Sequence, residues 1–178
     1  MRPARPLLVL TSLLCAALVA LAGCAASTAP RTWAAAVCTA LAPWRAEIST
    51  LTDRTQEQMT AETSPAQAKE NLVRLFNGAE TASERARAGV ERAGVPDVDQ
   101  GEQVAESFTS SLSGMRDAYG RARSGIEALA ISPQKAFYEQ VGSVVQKLTE
   151  EYGQSELDTG KLSSVELKQA FDDVPECR

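Results

Sequence analysis

This chain contains four cysteines, whose thiols could act as nucleophiles or metal ligands, and no histidine. Without an imidazole, a serine or cysteine nucleophile lacks its usual base, and HExxH zinc sites and the Glu-x-x-His pairs of di-iron bundles lose a ligand. Two of the four cysteines belong to the N-terminal segment discussed below, and the thiolates of the other two, Cys38 and Cys177, do not complete a tetrahedral metal site on their own. The residue types therefore predict no enzyme activity, no metal and no cofactor.

One acidic segment resembles the start of a calcium loop. It runs Asp97-Val98-Asp99-Gln100-Gly101, but its glycine comes one position early and Phe108 stands where the bidentate glutamate is needed. Aspartates next to a helix start are commonly N-caps, so the segment favours helix capping by Asp97 or Asp99.

Positive charge is concentrated on the second and third predicted helices. Acidic residues three or four positions away, such as Glu84 and Glu91, are spaced to neutralise part of it, which is typical of an ordinary charged helix face. Anionic partners are the alternative. The candidate contacts for such a partner are Arg85, Arg92, Arg116 and Arg123.

The N-terminal segment has the build of a secretory signal. Arg2 and Arg5 give it a positive start, and an apolar run from Leu7 to Leu21 is short for a membrane span. Its last residues, Leu21-Ala22-Gly23-Cys24, resemble the lipobox of bacterial lipoproteins. This resemblance implies that residues 1–23 are cleaved and that Cys24 becomes a lipidated N-terminus anchored on the extracytoplasmic face of the cell membrane.

Of the other cysteines, Cys15 lies in the cleaved signal, which leaves Cys38 and Cys177. An even pair in an exported chain is typical of a disulfide. The sequence therefore predicts a Cys38–Cys177 bond that ties the first helix to the last residues.

The composition of the mature chain limits its partners. Cleavage removes two of the 18 basic residues and none of the 23 acidic ones, so the formal charge becomes −7. Nucleic acid is excluded as a partner because its backbone attracts clustered lysine and arginine. Membrane attachment then depends on the lipid of Cys24 rather than on a basic patch.

Apolar positions recur every three or four residues through most of the mature chain, which predicts helices. We expect residues 24–31 to form a lipidated tether and residues 32–178 a bundle. The helix starts are marked by Trp33, by Ser64-Pro65, by Ser132-Pro133 and by Ser163 with Glu166, and Pro43 predicts a kink or a second segment in the first helix.

The predicted fold is all-α, an antiparallel up-and-down bundle of four long helices plus a short C-terminal helix. Glycines interrupt the helical pattern, which indicates either close helix approach or modest stability, and modest stability is the interpretation favoured here. These glycines are Gly78, Gly89, Gly114, Gly120, Gly125 and Gly142.

Two functions agree with these features. The first is a noncatalytic interaction module that binds an envelope protein or a wall polymer. The second is a small-molecule carrier or sensor with a pocket between the helices, lined by the aromatic residues and Met115. An enzyme ranks last because no nucleophile has a recognisable activating neighbour.

Overall fold

The computed structural model describes residues 27–155, 162 and 164–178. The predicted signal segment 1–23, the predicted lipidation site Cys24 and the predicted cap Ser163 lie outside these residues. The helices are α1 (Pro30–Gln58), α2 (Pro65–Ala93), α3 (Gly101–Ala128), α4 (Gln134–Gln154) and α5 (Val165–Asp173), and a 3-10 turn (Pro175–Cys177) follows α5. The predicted all-α bundle of four long helices and a short C-terminal helix is confirmed.

Local signals explain where α2 begins and ends. The Ser64 hydroxyl accepts a hydrogen bond from the Gln67 amide at 3.3 Å, and Pro65 occupies the first helical position. Gly94 follows the last helical residue with φ of +75°, a conformation that glycine adopts without a steric penalty. The predicted cap and the predicted glycine stop are both confirmed.

Other helix starts differ from prediction. The helix α4 begins at Gln134 after Pro133, so Pro133 is not its first residue and Ser132 does not cap it. Gln100, in the left-handed region, precedes α3 and no side chain caps it, so neither Asp97 nor Asp99 is an N-cap. Ser164 caps α5 by accepting a hydrogen bond from the Leu167 amide at 3.1 Å. No second segment begins at Pro43, because α1 continues through that residue.

Contacts between helices establish an antiparallel order. Trp33, near the start of α1, donates its Nε1–H to the Gly94 carbonyl beyond the end of α2 at 2.8 Å. Lys69, near the start of α2, donates to the Leu129 carbonyl beyond the end of α3 at 2.7 Å. Along α3 and α4 the contacts run in opposite directions, from Gly125 against Val144 to Gly114 against Ser155. Each long helix therefore runs back along its predecessor.

The core has two parts. Near the start of α1, the Trp33 ring meets Phe108 edge-on at 5.1 Å, and Phe108 stacks on Phe171 at 5.8 Å. Farther along, Phe76 and Ile126 lie in a second cluster between α2 and α3. Phe137 is the one fully buried residue of α4, so this helix adds less to the core than α2 or α3.

The glycines lie mostly where helices approach closely, which differs from the modest-stability interpretation. A Cβ on Gly89 would lie 2.7 Å from the Ala40 Cβ, and one on Gly78 would lie 2.8 Å from Leu51 Cδ1. Gly114 faces the Ser155 side chain in the same manner, whereas Gly142 has nothing within 4 Å. At Gly89 the facing atom is the Ala40 methyl carbon, which cannot rotate away, so the missing side chain allows α1 and α2 to pack this closely. At Gly78 and Gly114 the facing atoms belong to the Leu51 and Ser155 side chains, which can shift.

Both described ends of the chain are held at one end of the bundle. Cys38 and Cys177 form the predicted disulfide, with their Cα atoms 5.0 Å apart. Before α1, the Thr28 amide donates to the Val95 carbonyl at 2.7 Å, and the Thr28 carbonyl accepts from the Asp97 amide at 2.8 Å. The predicted tether reached residue 31, but the folded domain already includes Thr28.

Candidate interaction surface

An ion-pair network links α2 and α3 at the centre of the predicted arginine face. Glu84 of α2 accepts hydrogen bonds from Arg87 at 2.8 Å and from Arg116 of α3 at 2.8 Å. Arg116 also contacts its neighbour Asp117 at 2.7 Å. The hydrogen bonds from Arg87 and then Arg116 lower the pKa of Glu84 to about 2. The Arg116 guanidinium is therefore already paired with two carboxylates of the chain, those of Glu84 and Asp117.

Arg123 lies on the same side of α3, two turns farther along. It donates to Glu80 of α2 at 3.0 Å and to Glu127 of its own helix at 3.1 Å. These hydrogen bonds, with Glu80 as the larger cause, raise the pKa of the Arg123 guanidinium. Glu80 and Glu84 are four residues apart on α2, so both arginines of α3 meet the same acidic stripe.

Arg85 and Arg92 point elsewhere. Arg85 pairs with Glu47 of α1, and its side chain keeps 61% of its surface exposed. Arg92 is exposed in the last turn of α2 and forms no salt bridge with another described residue. Because these two residues are seven positions apart, they share a face of α2. Arg85 on this face contacts α1, whereas Arg116 and Arg123 contact α2 from α3, so the two pairs of arginines belong to different surfaces.

The four predicted contact residues thus form two surfaces rather than one. Sequence spacing identified the partners within a helix, such as Arg87 with Glu84. Sequence spacing did not identify the partners in other helices, Glu47 and Glu80, because those pairs depend on the axial offset between neighbouring helices. The sequence shows only that opposite charges occur on consecutive predicted helices, which does not determine which residues pair between those helices.

Most of the aromatic residues expected to line a ligand pocket are packed against other side chains, whereas Tyr138 is partly exposed and borders an open surface hollow of about 710 Å³. Met115 is 4% exposed, and Trp33 and Phe108 are fully or almost fully buried. A separate hollow of about 210 Å³ lies between α3 and α4, with Ala122, Gly125, Val144 and Leu148 in its lining. Ligand sites for drug-sized molecules usually enclose about 300–1,000 Å³, so this hollow is small for such a ligand.

A larger open hollow lies at the end of the bundle where Thr28 is bound. It has a volume of about 710 Å³ and lies between the α2–α3 loop and the start of α5, with Asp97, Asp99 and Glu166 in its lining. In the part of the chain that the structure describes, no three potential ligand side chains are grouped so that they can hold a metal ion. This end of the molecule is an acidic loop surface.

No protein-family model matches the chain, and neither the curated proteins nor the solved structures include a match to it. Among the helices that the structure describes, none has a stretch long and apolar enough to cross a bilayer.

Proposed function

We propose that this protein is a lipoprotein anchored through Cys24 on the extracytoplasmic face of the cell membrane. In this proposal the helical bundle is a noncatalytic module that binds an envelope protein or a wall polymer. The anchor is supported by Leu21-Ala22-Gly23-Cys24 and the charged and apolar residues before it. Two acyl chains on one cysteine are enough for stable attachment.

One observation favours binding at the surface over carriage of a small molecule. Trp33, Phe108 and Met115, which were among the candidates for a pocket lining, are buried in the core, where the rings of Trp33 and Phe108 pack against each other. The hollow between α3 and α4 is smaller than usual ligand sites, and the larger hollow beside Asp97 is an open acidic surface at the end of the bundle rather than a pocket between the long helices. Recognition by exposed side chains therefore agrees better with this molecule than enclosure of a ligand.

Arg85 and Arg92 are the first contacts we propose for an anionic partner. An exposed guanidinium binds carboxylate or phosphate oxygens through paired hydrogen bonds. Arg116 and Arg123 are secondary contacts, because their side chains are only 31% and 28% exposed and each already pairs with α2. A partner has to displace Glu84 or Glu80 to reach them.

The anchor is tested by replacing Cys24 with serine in the expressing cell. We expect the wild-type protein in the membrane fraction, with an intact mass that includes the lipid and starts at Cys24. The Cys24→Ser variant should lose both properties, while Cys15→Ser, inside the cleaved segment, should keep them. A wild-type product that is soluble, unmodified or cut elsewhere would contradict the anchor.

The binding proposal is tested by crosslinking in intact cells followed by mass spectrometry. We expect the wild type to capture a reproducible partner and the double variant Arg85→Glu with Arg92→Glu to lose most of it. Lys135→Glu with Lys147→Glu is the matched control, since it also reverses two exposed charges, both on α4. Equal capture by all three proteins would remove Arg85 and Arg92 from the contact. Substrate turnover abolished by one carboxylate substitution would replace binding with catalysis.

A further inference from the structure

The short distance along the chain between Cys24 and the first residue fixed to the bundle limits how the domain can be placed on a membrane. Thr28 is held by three hydrogen bonds: two through its backbone to Val95 and Asp97, and one from its hydroxyl to the Ala93 carbonyl at 3.2 Å. Trp33 adds a bond to the Gly94 carbonyl, so the start of α1 and the α2–α3 loop form one connected end of the bundle. We call this end the Thr28 end.

Only four peptide steps separate Cys24 from Thr28. Even when fully extended, four residues span at most about 14 Å. The headgroup layer on one side of a bilayer is about 6 Å thick, and acyl chains begin beneath it. The thioether and glycerol of the lipid can place Cys24 at the outer edge of this layer, so a chain anchored at Cys24 keeps Thr28 within about 14 Å of the headgroups.

We infer that the Thr28 end, made of Thr28, the α2–α3 loop and the start of α5, is the face that the domain presents to the membrane carrying its own lipid. This inference rests on the proposed anchor at Cys24. The opposite end consists of the α1–α2 loop (59–64) and the α3–α4 loop (129–133). There the Tyr138 hydroxyl of α4 donates to the Thr63 carbonyl and so links the α1–α2 loop to α4. This end lies one helix length away, about 43 Å for the 29 residues of α2.

The surface chemistry of the Thr28 end agrees with apposition to a lipid surface without insertion into it. Asp97 and Asp99 are exposed in the α2–α3 loop, and Glu166 lines the hollow beside them. Carboxylates resist burial in hydrocarbon because desolvation of an unpaired charge is costly. The bundle accordingly stays outside the headgroups, held near them by the short segment before Thr28.

The test places a fluorophore at either end of the full, lipidated protein. Asp99→Cys reports on the Thr28 end and Glu62→Cys on the opposite end, and both are exposed acidic loop positions. Only the new thiol reacts with the probe, since Cys38 and Cys177 are bonded and Cys24 carries lipid. The protein is reconstituted into phosphatidylcholine vesicles containing a headgroup quencher whose range is shorter than the bundle.

We expect the headgroup quencher to quench the probe at position 99 strongly and the probe at position 62 little or not at all. A flexible Gly-Ser insertion of twelve residues between Ala26 and Ser27 should reduce quenching at position 99 while the protein stays on the vesicles. Equal quenching at both positions, or an insertion without effect, would overturn this orientation although the anchor holds. Failure of the wild type to bind vesicles would instead show that the anchor itself is wrong.

Discussion

Gly89 and Gly142 are both helical glycines, but their surroundings are opposite. A methyl group on Gly89 would meet the Ala40 methyl at 2.7 Å, whereas one on Gly142 would have open space. We expect Gly89→Ala to lower the free energy of unfolding by about 1–3 kcal/mol, since overpacking forces α1 and α2 apart. Gly142→Ala should raise it by up to about 1 kcal/mol through helix propensity. Urea denaturation measures the free energy of unfolding of both variants. Equal stabilisation by both substitutions would contradict a close approach of α1 and α2 at Gly89.

Glu84 gives the molecule an acid-sensitive contact. Its pKa is lowered to about 2 by the hydrogen bonds from Arg87 and Arg116, so folding favours the ionised carboxylate. This contribution is complete above the unfolded pKa of about 4.3 and is lost as the pH falls toward 2. It amounts to about 1 kcal/mol or less, because the Glu84 side chain is 42% exposed.

We therefore expect Glu84→Gln to be less stable than the wild type at neutral pH, and the difference to shrink as the pH falls toward and through about 2. Denaturant titrations at several pH values between about 2 and 6 measure this difference. Glu62→Gln is the control, because Glu62 forms no salt bridge with another described residue. A constant difference between Glu84→Gln and the wild type over the whole range would contradict the assignment.

Residue patterns predicted some of these features and not others, for a physical reason. Ser64 acts on an amide three residues away, so its role as a cap is readable from the sequence. The environment of Gly89 depends on Ala40, which is 49 positions away, and the same glycine pattern also fits a weak helix. Asp97 and Asp99 did not become caps because α3 begins after Gln100 in a left-handed conformation.

At the scale of elements, α5 depends on α1 for its position. It packs on α1 through Leu167, Ala170 and the ring of Phe171, and the Cys38–Cys177 disulfide fixes the turn that follows it. The linked cysteines are 139 residues apart, so the crosslink constrains most of the unfolded chain. Removal of such a bond typically costs about 2–5 kcal/mol.

We expect the double variant Cys38→Ala with Cys177→Ala to lose about 2–5 kcal/mol and to release α5 before the rest. Hydrogen exchange should then accelerate most in Val165–Asp173, while amides in the middle of α2 and α3 change least under conditions where the bundle stays folded. Reduced wild-type protein serves as a comparison that carries no substitution. Uniform acceleration in all helices would indicate that the bond stabilises the molecule as one unit.

The helix α4 is the other element that is only lightly held. Phe137 is fully buried, while Val145 on the same helix is 40% exposed. We expect Phe137→Ala to cost about 3–5 kcal/mol and Val145→Ala much less. Thermal unfolding of the two variants compares them. A similar effect of both would mean that α4 is anchored along its length rather than at its first turn.

For the molecule as a whole, the helical periods predicted the number and order of helices, and short connections predicted the antiparallel arrangement. The share of the core that each helix contributes was not predictable from the sequence. Four similar stripes of apolar residues favour four equal helices, but α2 and α3 carry most of the core and α4 contributes one buried residue. Which stripe faces two neighbours and which faces one depends on packing in three dimensions.

This unequal burial predicts a hierarchy of opening in the native protein. Amides of α4 should exchange faster than those of α2 and α3, since local opening is easiest where few apolar contacts are lost. Native-state hydrogen exchange measured by mass spectrometry gives the order directly. Slower exchange in α4 than in α3 would contradict the hierarchy.

The Cys38–Cys177 bond also closes the bundle into a covalent ring that contains every interhelical loop from residue 59 onward. A protease that cuts once inside this ring opens it without separating the two pieces. After a cut in the 59–64 loop, the fragment that begins beyond it remains joined to the N-terminal fragment through sulfur. The nicked protein should migrate as one species on a non-reducing gel and as two after reduction, so damage at an exposed loop need not shed any part of the molecule.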